Sequence, residues 1–238
     1  MNPDEYNIRK QLSFGAYRGA AEYFNNRPDM IPDYLNSGFI PTSLKEILFK
    51  VDSTEQESKK FCGSYIHLFN YVDPTNKEVL EVGCGMGRGC NFIKNHYNTK
   101  SIVGSDINDD LLNVARRWFP SIQFVNADAV SLQSLNTLFD IVITVETLLY
   151  WDCHKDSFKS FASALKEGGS LLIASDMRNT DTTLDRNFNN VGLKLVNERN
   201  INPNVLLSLF QPSYNRDLTK IKMFQTKYTC VSKHYVKQ

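Results

Sequence analysis

From residue 77 onward the chain alternates short apolar runs with stretches whose apolar residues recur every three or four positions. The runs fall at 79–82, 101–105, 123–126, 140–145 and 170–174, with a sixth at 193–197. Helical patterns lie between them near 87–96, 109–119, 131–138, 155–166 and 183–191. Short apolar runs bounded by turn formers read as buried strands, and a period near 3.6 residues reads as helix. Regular β-α-β-α alternation predicts an α/β fold: a mostly parallel sheet with helices on both faces and right-handed crossovers. Ligands of such sheets sit beyond the carboxyl ends of the strands, so the loops after each strand are where chemistry is expected.

Residues 1–76 lack this rhythm. They hold an amphipathic stretch at 11–24, a loop rich in Asn and Pro at 25–32, a short segment at 33–36 and two further helical patterns. One, at 43–51, opens after Pro41 with Ser43 as N-cap; the other runs over 55–71. The expected organisation is a helical cap or lid over 1–76 on a core over 77–238.

Composition narrows the function. Of 238 residues 42% are hydrophobic, so a packed core is expected; Lys and Arg number 27 against 26 Asp and Glu, a net charge of +1. No large field draws such a chain to nucleic acid or an anionic membrane. The five cysteines (Cys62, Cys84, Cys90, Cys153 and Cys230) form no CxxC, so free thiols in a reducing compartment are expected, with no metal site. The first twenty-four residues have no apolar signal core, and no stretch is long and apolar enough to span a membrane, so the expected location is cytoplasmic.

Chemistry gathers at the strand ends. The first strand, Val79-Leu80-Glu81-Val82, runs into Gly83-Cys84-Gly85-Met86-Gly87-Arg88. A dinucleotide fingerprint would put its third glycine where Arg88 stands; the pattern here is GxGxG after an acidic strand residue. The second strand ends at Asp106, where a carboxylate suits both hydroxyls of a ribose, and the third ends in Asn126-Ala127-Asp128-Ala129, where one suits an exocyclic amine. The fourth ends at Glu146, followed by Tyr150-Trp151; the fifth follows Gly168-Gly169, expected to stop the preceding helix.

EVGCGMG, the acid at Asp106, NADA, FDIVITVE and ALKEGGSLLIASD occur in the order and spacing of class I S-adenosylmethionine-dependent methyltransferases, which the chain resembles over about 77–200. The resemblance implies a Rossmann-like, seven-stranded, mostly parallel sheet with the N-terminal helical cap added, and S-adenosyl-L-methionine as cofactor. It implies that Glu81, Gly83, Cys84, Gly85 and Gly87 face the methionine part, Asp106 the ribose, Asp128 and Ala129 the adenine, with Ile107 on the adenine face and Glu146 beside the donor. A narrower likeness, to bacterial methyltransferases of phenolic glycolipids, polyketides and tocopherols, rests on residues 32–39, Tyr150-Trp151, Ser175-Asp176-Met177-Arg178 and residues 200–206. It implies a last strand at 228–233, antiparallel at the sheet edge, and a small-molecule acceptor. Those enzymes carry a histidine three or four residues after the glutamate, where this chain has Leu149 and Tyr150.

Plainer roles stand beside these. Asp106 could cap the helix starting near 109, Asp128 could close an Asx turn, and Glu146 could simply pair. His154 reads as a helix-start residue or as the base that replaces the missing histidine, with Tyr150 as pocket wall or acid–base group. The expected function is O-methylation of a small aromatic or polyketide-like acceptor, by in-line displacement, in secondary metabolism. N- or C-methylation, a nicotinamide oxidoreductase and a methyltransferase fold kept as a scaffold are the competing readings. The [DN]PP[YF] motif of nucleic-acid amino methyltransferases is absent.

Overall fold

The computed structural model describes residues 3–27, 35, 38–40, 43, 49–50, 59–151, 154–178, 183–209 and 228–238. The elements in chain order are α1 (Pro3–Asn25), α2 (Lys59–Leu68), β1 (Glu78–Val82), α3 (Arg88–His96), β2 (Ser101–Asp106), α4 (Asp109–Trp118), β3 (Gln123–Asn126), β4 (Phe139–Val145), α5 (Leu148–Trp151), α6 (Lys155–Ser163), β5 (Leu165–Arg178), α7 (Leu184–Asn189), β6 (Leu193–Asn200), α8 (Asn202–Leu209) and β7 (Tyr228–Lys237). The expected segment at 33–36, the helix at 43–51 apart from Ser43 and residues 49–50, residues 55–58 of the next helix, and Cys153 lie outside the described residues, save Leu35.

The seven strands form one sheet in the order β3-β2-β1-β4-β5-β7-β6, the Rossmann-like architecture the motifs imply. The first five run parallel, with Val79 level with Ile102 on one side and with Ile141 on the other. The run Phe139-Asp140-Ile141-Val142-Ile143-Thr144-Val145 is buried except at Asp140, as a parallel strand covered on both faces must be. Alternate side chains feed two cores. Val79, Ile141, Ile143 and Leu172 pack with Phe92 and Ile93 of α3 and Leu112 of α4. Leu80, Val142, Leu171 and Ile173 pack with Phe158 and Phe161 of α6 and Phe188 of α7. Ala21 and Phe24 of α1 join Met86, Leu111 and Val114 in a smaller cluster on α4.

Three expectations change. The last strand is antiparallel but is not the edge: β7 lies between β5 and β6 and pairs with both. Cys230, Val231, Ser232, Lys233, His234 and Tyr235 are all buried, whereas β6 is largely solvent-facing, which suits β6 to the edge. The 131–138 helix shrinks to a single 3₁₀ turn, Leu132–Leu135, ended by Asn136 in the left-handed region at φ 50°. Gly168 and Gly169 do not stop a helix. α6 ends at Ser163, and the glycines form an irregularity inside β5, where the β4 register jumps from Leu165 to Ser170.

Candidate functional site

The carboxyl ends of β1, β2, β3 and β4 open into one cavity of about 980 Å³ including its mouth, roofed by α1. Its floor is the turn after β1. The N–H groups of Gly83 and Cys84 both donate to the Ser105 carbonyl, at 2.7 and 2.9 Å, tying the turn to the end of β2. A Cβ on Gly83 would fall 2.3 Å from the Thr147 methyl, so the backbone lies against the start of α5. Gly87, at φ 82°, leads into α3, and a Cβ there would meet the Phe124 ring at 2.6 Å. Gly87 therefore shapes the turn from behind and is not part of the wall.

Asp106 keeps part of its surface toward the cavity. Its Oδ2 accepts from Gly85 N–H and its Oδ1 from Asn108 N–H, both at 2.9 Å, so it holds the glycine turn and the β2 loop at once. It is not the cap of α4: Asn108 is, its side chain accepting from the N–H groups of Asp110 and Leu111. Burial raises the Asp106 pKa against those backbone donors. Its neighbour Ile107 lines the cavity.

Asp128 closes the Asx turn weighed for it and lines the cavity as well. Oδ1 accepts from Val130 N–H at 3.1 Å, closing an Asx turn, and the carboxylate also faces the cavity. There α1 meets it: Lys10 Nζ is 3.0 Å from Oδ2, and the Tyr6 hydroxyl donates to Oδ1. Ala129 completes this wall.

Glu81 stands behind the turn, 1% exposed. Burial pushes its pKa up to about 7, although hydrogen bonds from Cys90 Sγ (2.9 Å) and the Tyr65 hydroxyl (2.7 Å) oppose the shift. Gly89 makes that cluster possible, since a Cβ there would lie 2.1 Å from the Tyr65 hydroxyl. Glu146 lines the opposite end and adopts φ 54°, a left-handed conformation uncommon for a residue with a side chain. Beyond it, Thr147 Oγ1 accepts from Trp151 Nε1 at 2.9 Å and contacts the Thr144 hydroxyl. The Tyr150 hydroxyl lies 3.3 Å from that of Tyr17 on α1.

The structure thus gathers Gly83, Cys84, Gly85, Asp106, Ile107, Asp128, Ala129, Glu146 and Tyr150 around one cavity. Glu81 and Gly87 support the wall from outside it. His154 caps α6: its Nδ1 accepts from Asp156 N–H at 3.2 Å, and its ring lies edge-on to Tyr6 at 4.9 Å. That is the helix-start role, and the ring is not among the wall residues. Sequence reasoning missed Tyr6, Lys10 and Tyr17. Their offsets of four and eleven place them on one face of α1, a signal that marks a face without saying what it covers.

Comparison with known proteins points to methyltransferases. Residues 79–169 match the family model described as a methyltransferase domain. The phthiotriol/phenolphthiotriol dimycocerosates methyltransferase of Mycobacterium leprae is 27% identical over 173 residues, 71% of this chain and 64% of that protein. The fatty-acid O-methyltransferase of Mycolicibacterium smegmatis is 29% identical over 134 residues, 55% and 49% of the two chains. The chain thus spans less than two thirds of the length of these curated relatives. Among solved structures, the geranyl diphosphate C-methyltransferase of Streptomyces coelicolor A3(2) superposes with a TM-score of 0.65 at 13% identity, covering 93% of this chain and 97% of that one.

Proposed function

We propose that this chain, whose residues 79–169 match a methyltransferase-domain model, transfers a methyl group from S-adenosylmethionine to an oxygen of a small, apolar acceptor. The observation that carries this reading is the pair of strand-end carboxylates, Asp106 and Asp128, flanking one cavity with the Gly83–Gly85 backbone as its floor. Those residues fit the donor. Asp106 retains lone pairs beyond its two backbone donors for the ribose hydroxyls, and Asp128 retains one for the adenine amine. The open backbone at Gly83 and Gly85 suits the methionine part, with Ile107 and Ala129 against the adenine.

When bound, the donor supplies a methyl carbon on a sulfonium whose leaving group is neutral. The chain's own task is alignment, which accounts for roughly 7–11 kcal/mol of such a barrier when the reacting atoms are held at attack distance. Tyr6, Lys10 and Tyr17 of α1 cover the cavity and reduce its contact with water. Trp151, pinned by Thr147, and Val145 give the Glu146 end an apolar wall, which supports an apolar acceptor with a ring or polyketide skeleton. Among the described residues no helix is long and apolar enough to cross a membrane.

Calorimetric titration with S-adenosylmethionine and S-adenosylhomocysteine tests the donor. Micromolar binding, weakened about tenfold or more in Asp106→Ala, is the expected result; the loss of one charged hydrogen-bonding group is worth that much. Absence of binding to both ligands sinks the reading.

A further inference from the structure

Two hydroxyls meet at the Glu146 end of the cavity. Tyr17, brought by α1, and Tyr150, brought by α5, stand 3.3 Å apart with their rings edge to face. Each hydroxyl has one proton, and a single hydrogen bond joins them. Whichever donates, the other keeps an O–H with no further hydrogen-bond partner among the described residues. Both side chains line the cavity, so that surplus donor is available to whatever binds there. Burial, then Tyr150, then the charges of Glu146 and Asp106 hold the Tyr17 pKa above the ordinary phenol value, so Tyr17 stays protonated and serves as a donor, not as a base.

Glu146 is the second observation. It lines the same end, near enough for its charge to bear on Tyr17, and holds the left-handed φ of 54° at the mouth of β4. A side chain held in a sparsely populated conformation at a cavity is where function is to be sought. A hydroxyl donor and a carboxylate acceptor facing the same space match a ligand that both accepts and donates a hydrogen bond.

We propose that Tyr17, Tyr150 and Glu146 form the acceptor site, and that they select a neutral hydroxyl (an alcohol or phenol on an apolar skeleton) over a carboxylate. The inference rests on the methyl-transfer reading above and names its substrate class. The surplus tyrosine O–H donates to one lone pair of the acceptor oxygen, and the acceptor's own proton points to the Glu146 carboxylate. As the oxygen bonds to the methyl carbon, the carbon–sulfur electron pair stays on sulfur and the acceptor's proton passes to Glu146. A carboxylate acceptor has no proton to give and meets the charge of Glu146.

The test is binding to protein saturated with S-adenosylhomocysteine, read by calorimetry at pH 8 with 4-octylphenol and 4-octylbenzoate as probes. The expected result is that the phenol binds and the benzoate binds at least about tenfold more weakly; the double variant Tyr17→Phe/Tyr150→Phe, which removes both O–H donors, weakens the phenol about tenfold, the worth of one hydrogen bond. Glu146→Gln narrows the gap between the probes by strengthening the benzoate, which a merely structural role of Glu146 does not produce. Equal or tighter binding of the benzoate, no binding of the phenol, or wild-type behaviour of both variants overturns the proposal. Failure of S-adenosylhomocysteine itself to bind is separate, because it removes the donor reading before either probe is added.

Discussion

The Lys10 ammonium lies 3.0 Å from Asp128 Oδ2, joining the N-terminal helix to the end of β3 across 118 residues of sequence. With the Tyr6 hydroxyl on Oδ1, it ties the roof of the cavity to a carboxylate that also forms part of its wall. Lys10 is 34% exposed, so the pair adds little to stability, under about 1 kcal/mol. Its effect belongs on the kinetics of closure.

Lys10→Met is therefore expected to speed dissociation of S-adenosylhomocysteine several-fold while leaving the melting temperature almost unchanged, because an interface change acts mostly on the off-rate. Stopped-flow release and a thermal melt check both halves. An off-rate equal to wild type would mean that α1 does not retain the ligand.

Glu81 should make stability depend on pH. Its folded pKa of about 7 lies above its ordinary value of 4.5, so the native state binds more protons than the unfolded state between those values. Stability from this group is thus fully present below about 4.5 and is lost as pH rises through 7, by up to about 3 kcal/mol in total. Glu81→Gln should melt near wild type at pH 5 and above it at pH 8. A difference between the two proteins that does not change with pH would sink the assignment.

Gly87→Ala separates architecture from binding. The new Cβ would meet Phe124 at 2.6 Å and Ala115 at 3.0 Å with the backbone at φ 82°. A loss of roughly 1–3 kcal/mol is expected in urea unfolding, with near-normal donor affinity at low temperature, since the residue stands outside the cavity. Lost affinity in a variant that remains as stable as wild type would reverse that division.

Lys233 is 1% exposed at the centre of β7, with Asp185 and Glu198 each 2.9 Å away and themselves about half exposed. Replacing it by Met should cost little, about 1 kcal/mol or less, because both acids can return to water. Removing both acids by Asp185→Ala and Glu198→Ala should cost far more, roughly 3–5 kcal/mol, because the ammonium then stays buried alone. Equal melting temperatures for the two variants would contradict this.

Most of the sheet was legible because its signals are local. The apolar runs of β1 to β5, the GxGxG turn and the acids at Asp106, Asp128 and Glu146 lie within short windows, and strand ends in a parallel sheet share one edge. What stayed hidden depends on contacts far apart in sequence. The interior position of β7 is set by pairing with β5 and β6, and its buried lysine, Lys233, reads as a surface residue until Asp185 and Glu198 are seen beside it. The cavity roles of Tyr6, Lys10 and Tyr17 arise from docking α1 against residues more than a hundred positions away. The 131–138 pattern misled because two serines, a threonine and an asparagine offer the backbone competing partners, and Asn136 turned it out of the helix.

The strand order also sets a timetable for synthesis. Among the described residues β6 pairs with no strand but β7, and β5 finds its second neighbour only in β7, so both wait for residues 228–237 to leave the ribosome. Until then the half of the sheet that carries the glycine turn can assemble, while the open side of β5 offers its unpaired peptide groups to any passing chain. Truncation or stalling before residue 228 would thus leave a folded cofactor half with an adhesive border, and aggregation, more than loss of binding, would be its first symptom.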